Sequence, residues 1–316
     1  DEIAHGFEMT YHSVPGLEVR IRMPSISHRF NRTGSLGGSD VPRVQRCGHT
    51  WFQAICHGAE RLIEHCQALN KINVFPVADG DTGNNLTSLM RSIIQYAKPA
   101  QDFYQTALSI AKASLIGARG NSGTIFSQFF YGFVTNPLCA EVSLKEFSAL
   151  AQQAAAAAKQ AVDRPVNGTI LSVMEVWAAA CQQLSQEVST ITELLQKSLV
   201  FAQGALVKTT EAIEALKQAN VVDAGAQGFV NFIEGMLKFV SVGKEQRALI
   251  LAEQSVAGAL VQLSHEFEDV TEFPNFRYCF ETVVRSKDEN ALDVHKVTLD
   301  KMGDSMVIGR GSQLLK

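Results

Sequence analysis

From Thr50 to about Val240, apolar residues recur at three- and four-residue intervals in long runs separated by glycine-bearing turns. This spacing predicts helices over 50–69, 84–97, 101–116, 122–134, 143–163, 169–185, 190–206, 208–219 and 225–240. Strand-type alternation is almost absent there. The expected fold class is mainly α, an antiparallel helical bundle or barrel of about eight helices. The alanine run 154–158 favours helix and suits close helix–helix approach. The pattern changes on either side. Residues 1–48 read as an irregular leader of no assigned role, with one strand-like run from Leu17 to Met23 before a Ser-, Gly-, Arg- and Pro-rich stretch. After Gly243, Gln246–His265 reads as a helix or linker, Phe276–Arg285 as a strand, Asn290–Met302 as a helix and Ser305–Ile308 as a strand. The expected domains are therefore 1–48, 49–242 and 243–316, the last a linker helix and a small, truncated α/β unit. The chain opens on Asp1 and stops after a strand-like run, so a fragment is expected.

Composition narrows the function classes. With 316 residues, 46% of them hydrophobic, the chain can bury sizeable cores. A net charge of −4 and a pI near 6.1 argue against nucleic acid as a partner. No apolar run approaches the roughly 20 residues of a transmembrane span. The six cysteines (Cys47, Cys56, Cys66, Cys139, Cys181, Cys279) form no C-x-x-C pair. Without a signal-peptide pattern, reduced thiols and a cytoplasmic location are expected.

The turns hold the candidate chemistry. Asn73-Val-Phe-Pro-Val-Ala-Asp79-Gly-Asp81-Thr-Gly-Asn-Asn85 places two carboxylates among backbone-relaxing residues at the start of a predicted helix. An EF-hand would need other residues at Gly83, Asn84 and Met90, so calcium in that form is excluded. Magnesium accepts one or two carboxylates plus phosphates and water, and Asn73 adds a neutral oxygen. The competing reading is an Asx-type helix cap. Gly117-Ala-Arg119-Gly120-Asn-Ser122-Gly123 lacks the Lys-Ser/Thr of a P-loop and, with Thr124 where glycine is required, is no nucleophile elbow. Pro165-Val-Asn-Gly168-Thr169 and Val222-Asp223-Ala-Gly225-Ala-Gln-Gly228 have the same build. Gathered at one bundle end, such turns line a polyanion site with helix N-termini. Cys56, His57, His65 and Cys66 do not share a helix face, which argues against zinc there.

These turns, in this order, resemble the Dak2 or DhaL-type kinase domain, the nucleotide-binding part of dihydroxyacetone kinases and bacterial fatty acid kinases. The closer likeness is to the fatty acid kinase branch, through Leu69–Asn85, Gly117–Gln128, Pro165–Leu171 and Val221–Gly228. Ala78 stands where that branch usually has proline, Asn84 replaces a threonine and Ala226 a glycine. The resemblance implies a helical barrel with ATP at one end and Mg2+ between carboxylates and phosphates. Carried over by position, Asp79 and Asp81 are metal ligands and, with Arg119, candidate catalytic residues, while Asn73 is a further ligand. Thr82, Gly83, Asn84, Asn85, Asn121, Ser122, Gly123, Gly168, Thr169, Asp223, Ala224 and Gly225 would surround the nucleotide. Phe276–Glu281 and Gly303–Ile308 resemble that family's middle domain, where a cysteine, here Cys279, joins later histidines in binding Zn2+.

The implied function is an ATP- and Mg2+-dependent kinase. Its substrate is a fatty acid carboxylate presented by a DegV-type binding protein, and its product is an acyl phosphate; a homodimer is also admitted. A carboxylate is already a nucleophile, so no catalytic base is needed. The alternatives are the nucleotide-binding subunit of a dihydroxyacetone (glycerone) kinase and a non-catalytic nucleotide-binding scaffold.

Overall fold

Ten helices occur among the described residues, and eight have 12 residues or more. The computed structural model describes residues 8–11, 19–22, 47–134, 142–242, 284–285, 306–308, 310–311 and 314–315. It divides into two units, Asp1–Arg43 and Val44–Lys316. In the first, β1 (Glu8–Tyr11) pairs antiparallel with β2 (Val19–Arg22), which falls within the run read as a strand.

The second unit carries α1 (Cys47–Glu64), α2 (Cys66–Lys71), α3 (Thr82–Tyr96), α4 (Phe103–Gly117), α5 (Gly120–Tyr131), α6 (Leu144–Gln160), α7 (Ile170–Leu184), α8 (Ile191–Ala212), α9 (Glu214–Ala219) and α10 (Ala224–Ser241). From α3 to α8 each long helix packs on the next; α10 packs on α8 and α1, and α1 on α3 and α4. Short turns between packed neighbours make them antiparallel. The N-termini of α3, α5, α7 and α10 therefore share one end of the bundle, and those of α1, α4, α6 and α8 the other.

Aromatic rings fill the interior. Phe126 stacks on Phe130 at 5.2 Å and meets Phe232 edge-on at 5.3 Å, while the buried Trp177 lies 5.6 Å from Phe229. Small residues set the helix spacing. Ala151, Ala154, Ala155 and Ala158 of α6 are buried, and a Cβ on Gly132, just after α5, would overlap the Ala154 backbone. The alanine run thus serves the close approach its composition suggested. An apolar cavity of about 310 Å³, lined by Trp51, Phe103, Leu144, Phe147, Ile191 and Met236, lies at the end opposite the glycine turns.

Three sequence expectations need correction. The helix expected over 50–69 is broken at His65, whose backbone starts α2 and whose Nδ1 bonds the Arg61 carbonyl at 2.7 Å. The break expected at residue 207 is absent: α8 runs on to Ala212 and ends where the buried Ile213 is extended. Thr209 lies buried within this helix, its hydroxyl donating to the Leu206 carbonyl at 2.7 Å. Within the expected strand Ser305–Ile308, the described residues make an isolated bridge from Val307 to Val162, and Ile308 N–H donates to the Ala161 carbonyl at 2.8 Å. They lie beside the residues that follow α6. On either side of them in sequence, β3 (Val284–Arg285) and β4 (Arg310–Gly311) both pair with β5 (Leu314–Leu315). The helices expected over 246–265 and 290–302 lie outside the described residues.

Candidate functional site

Between α2 and α3 the chain closes around the buried side chain of Asn73. Its Oδ1 accepts the N–H groups of Asp81 at 3.1 Å and Thr82 at 2.9 Å, and its Nδ2 donates to the Val77 carbonyl at 3.1 Å. Asn73 thereby satisfies the first N–H of α3, the task of an N-cap. The Phe75–Pro76 peptide is cis, and Gly80 has φ 66°, a left-handed conformation that glycine adopts without strain. Asp81 occupies the N-cap position itself but makes no side-chain capping bond. The competing Asx-cap reading therefore applies to Asn73 and leaves the aspartates for other work. It also counts against Asn73 as a metal ligand, since its one carbonyl oxygen already accepts two bonds.

The Asp79 and Asp81 carboxyls stand close enough to act on each other. Although Asp79 lies at the surface, its carboxyl is pushed up to about 6, first by partial burial, then by the neighbouring Asp81 charge. Two carboxylates so close share a proton or hold a cation. Both donors are hard oxygens, a set that fits Mg2+ with phosphate and water completing the shell, and not zinc. Among the described residues no group of three or more His, Cys, Asp or Glu is placed to hold a metal. Cys279 lies outside the described residues. Cys56 is buried, its thiol pushed up to about 12 by that burial and then by Glu60, and Cys66 Sγ donates to Asn84 Oδ1 at 3.3 Å.

The other turns meet this one. Gly120, with φ 56°, sits against Asn85: a Cβ there would come within 2.5 Å of Asn85 Nδ2. A Cβ on Gly225 would lie 3.3 Å from Asp223 Oδ2, 3.4 Å from Ile170 Cβ and 3.5 Å from Ser122 Oγ. All four turns thus converge through Asn85, Gly120, Ser122, Ile170 and Gly225. Asn84 is exposed and pairs reciprocally with Asn70 through two bonds of 3.2 Å, fastening α3 to α2. Thr82 and Gly83 are buried beneath it. Asn121, Ser122, Gly168 and Thr169 are partly exposed, and Gly123 is buried. Arg119 is exposed, with Nη1 donating to the Ala118 carbonyl at 2.7 Å and the Ile116 carbonyl at 3.1 Å, so it caps the end of α4.

Asp223, Ala224 and Gly225 are buried. Asp223 Oδ2 accepts the N–H of Ala226 at 2.8 Å and of Ile170 at 3.0 Å, and its own N–H donates to Thr209 Oγ1 at 2.9 Å. One carboxylate oxygen caps both α7 and α10 while the backbone ties them to α8. Burial pushes its carboxyl up to about 6 against the two N–H groups, which pull it down. Asp223 thus does internal work beneath the turns, holding α7 and α10 together. Sequence reasoning missed its partner Thr209, Asn70 and Ser172, whose Oγ accepts the Gly168 N–H at 2.9 Å. Only Asn70 left a signal, as an amide three residues before Asn73.

Capping differs between the two bundle ends. At the far end, Asp102, Ser143 and Thr190 cap α4, α6 and α8 through their own side chains. At the turn end, the N-cap residues of α3, α5 and α7 (Asp81, Arg119 and Thr169) make no such bond, and only α10 is capped by its own Asp223. Helix N-termini not capped by their own residue, close together and beside two carboxylates, suit a metal-bound polyanion.

The sequence profile described as the DAK2 domain matches residues 76–238. Protein YloV of Bacillus subtilis (strain 168) is 33% identical over 277 residues, covering 85% of this chain and 50% of the relative. An uncharacterized protein of Staphylococcus haemolyticus (strain JCSC1435) is 31% identical with the same coverage. The chain spans about half the length of these curated relatives. Among solved structures, the dihydroxyacetone kinase of C. freundii in its native form gives a TM-score of 0.46 at 17% identity, over 69% of this chain and 39% of that one. The same enzyme in complex with AMP-PNP and Mg2+ gives 0.47 at 16%, over 69% and 38%.

Proposed function

The chain belongs to the DAK2 domain family, a kinase-type nucleotide-binding domain, and from that premise we propose that it transfers the γ-phosphoryl group of ATP to the carboxylate of a fatty acid. Residues 49–242 would be the nucleotide-binding domain and 243–316 the start of a second one. The observation that carries the reading is the turn end itself. Asp79 and Asp81 stand together, neither Asp81, Arg119 nor Thr169 caps its helix, and the four turns converge.

Asp79 and Asp81 would hold Mg2+, which when bound neutralises charge on the phosphate oxygens. Asn121, Ser122, Gly168 and Thr169, partly exposed at the converging turns, would line the nucleotide. Asn73 and Asp223 position rather than touch: one keeps the carboxylates off capping duty, the other holds α7 and α10 in register. A fatty acid carboxylate attacks the γ-phosphorus as an anion and the bond to the β–γ bridging oxygen breaks. No proton has to be removed, so the site needs positioned charge and no base. A DegV-type binding protein would present the acyl chain.

Turnover of ATP by this chain with a fatty acid, with and without a DegV-type protein, tests the reading. Acyl phosphate should form only with the partner and fall by about a hundredfold or more in Asp81→Ala, the scale of losing a main electrostatic element. Turnover that needs neither partner nor Asp81 would overturn it, and phosphorylation of dihydroxyacetone instead would move the activity to the glycerone kinase class.

A further inference from the structure

The side of α8 facing away from the bundle is apolar where a surface helix is ordinarily polar. Val200, Phe201 and Val207 are 65, 46 and 68% exposed, and Gly204 between them has open space where its Cβ would be. At 100° per residue these four fall on one face, with Lys197 seven residues before Gly204 and Glu211 seven after. Both ends are exposed; Glu211 already pairs loosely with Lys217 at 3.4 Å.

The stripe is charge-complementary to itself in one direction only. We propose that it docks a second copy of this chain, the two α8 helices antiparallel about a two-fold axis at Gly204. In that register residue 204 − k faces 204 + k. Lys197 then meets the partner's Glu211, Phe201 meets the partner's Val207, and the stem of Lys208 covers the partner's Val200. These contacts repeat on both sides of the axis, as an isologous interface requires. The facing glycines let the backbones approach closely. Parallel pairing would instead set Lys197 against Lys197 and Glu211 against Glu211. A stripe about 21 Å long buries well under the roughly 1,200 Å² of a stable interface, so the dimer is weak and concentration-dependent.

Sedimentation velocity of the whole chain from about 1 to 200 μM at low salt, a range suited to weak association, tests this. The wild type should shift from monomer to dimer. Lys197→Glu alone and Glu211→Lys alone should each weaken association about fivefold, the scale of exposed ion pairs, and the double exchange should restore it. These positions are exposed, so thermal unfolding should match wild type in all three. Gly204→Cys should form an intermolecular disulfide on mild oxidation faster than Val176→Cys on the exposed surface of α7. A wild type monomeric throughout, or a double exchange no better than the single changes, would overturn the proposal.

Discussion

Asn73 and the aspartates it serves divide folding from chemistry within one loop. Asn73→Ala leaves the buried Thr82 N–H and the Asp81 N–H without their acceptor, at about 1–3 kcal/mol for each buried donor, so the melting temperature should fall clearly. Asp81→Asn should leave it within about 0.5 kcal/mol of wild type or raise it, because the carboxylate caps nothing and repels Asp79. Thermal unfolding without divalent ions checks both, and equal losses would contradict the division. Asp223 makes a different expectation. Its folded carboxyl titrates near 6, above its ordinary 3.8, so the native state holds the proton more tightly than the unfolded chain. That contribution is complete below about pH 4 and is lost as pH rises through about 6, by up to about 3 kcal/mol at 1.36 kcal/mol per unit. Asp223→Asn keeps an accepting oxygen but cannot ionise. Urea unfolding between pH 4 and 7 should show a decline with pH in wild type that is shallower in the variant. The aspartates stood out in the sequence as two carboxylates in one glycine turn, though the same spacing also read as a helix cap, whereas Asn73's lone pairs depend on a loop closure that spacing cannot show.

At the scale of elements, periodicity located the eight long helices, because each buries one continuous stripe. Their ends were less legible. Nothing in Lys208-Thr-Thr announces that α8 runs on to Ala212 with Thr209 buried, and nothing local to His65 announces the break that forms α2. Such boundaries are decided by what packs alongside. The α1–α10 contact makes this measurable. A Cβ on Gly235 would overlap the His57 carbonyl and reach Gly58 Cα at 2.8 Å, so Gly235→Ala should cost about 1–3 kcal/mol through overpacking. Gly204→Ala has open space and should instead stabilise α8 by up to about 1 kcal/mol. Chemical denaturation of the pair should give opposite signs.

For the whole molecule, the antiparallel order sorts the helix ends, with the self-capped α4, α6 and α8 at one end and the glycine turns, where α10 alone of four helices is capped by its own N-cap residue, at the other. The order of turns along the chain made that sorting legible. The self-complementary stripe on α8 was not, because exposure is a property of the folded surface. Trp177 follows Ile170, the residue held by Asp223, by seven positions on α7, about 10 Å along the axis. Its indole N–H has no hydrogen-bond partner, and its ring is enclosed by Phe129, Phe147 and Phe229. The bundle thereby contains its own optical gauge. In a Trp51→Phe background, which leaves Trp177 as the sole indole, emission should sit at the blue extreme. Mg·ATP, if it tilts α7 through Asp223, should change the intensity while leaving the wavelength in place. A red shift on adding nucleotide would mean that water had reached the ring, and that the turn end and the aromatic interior open together.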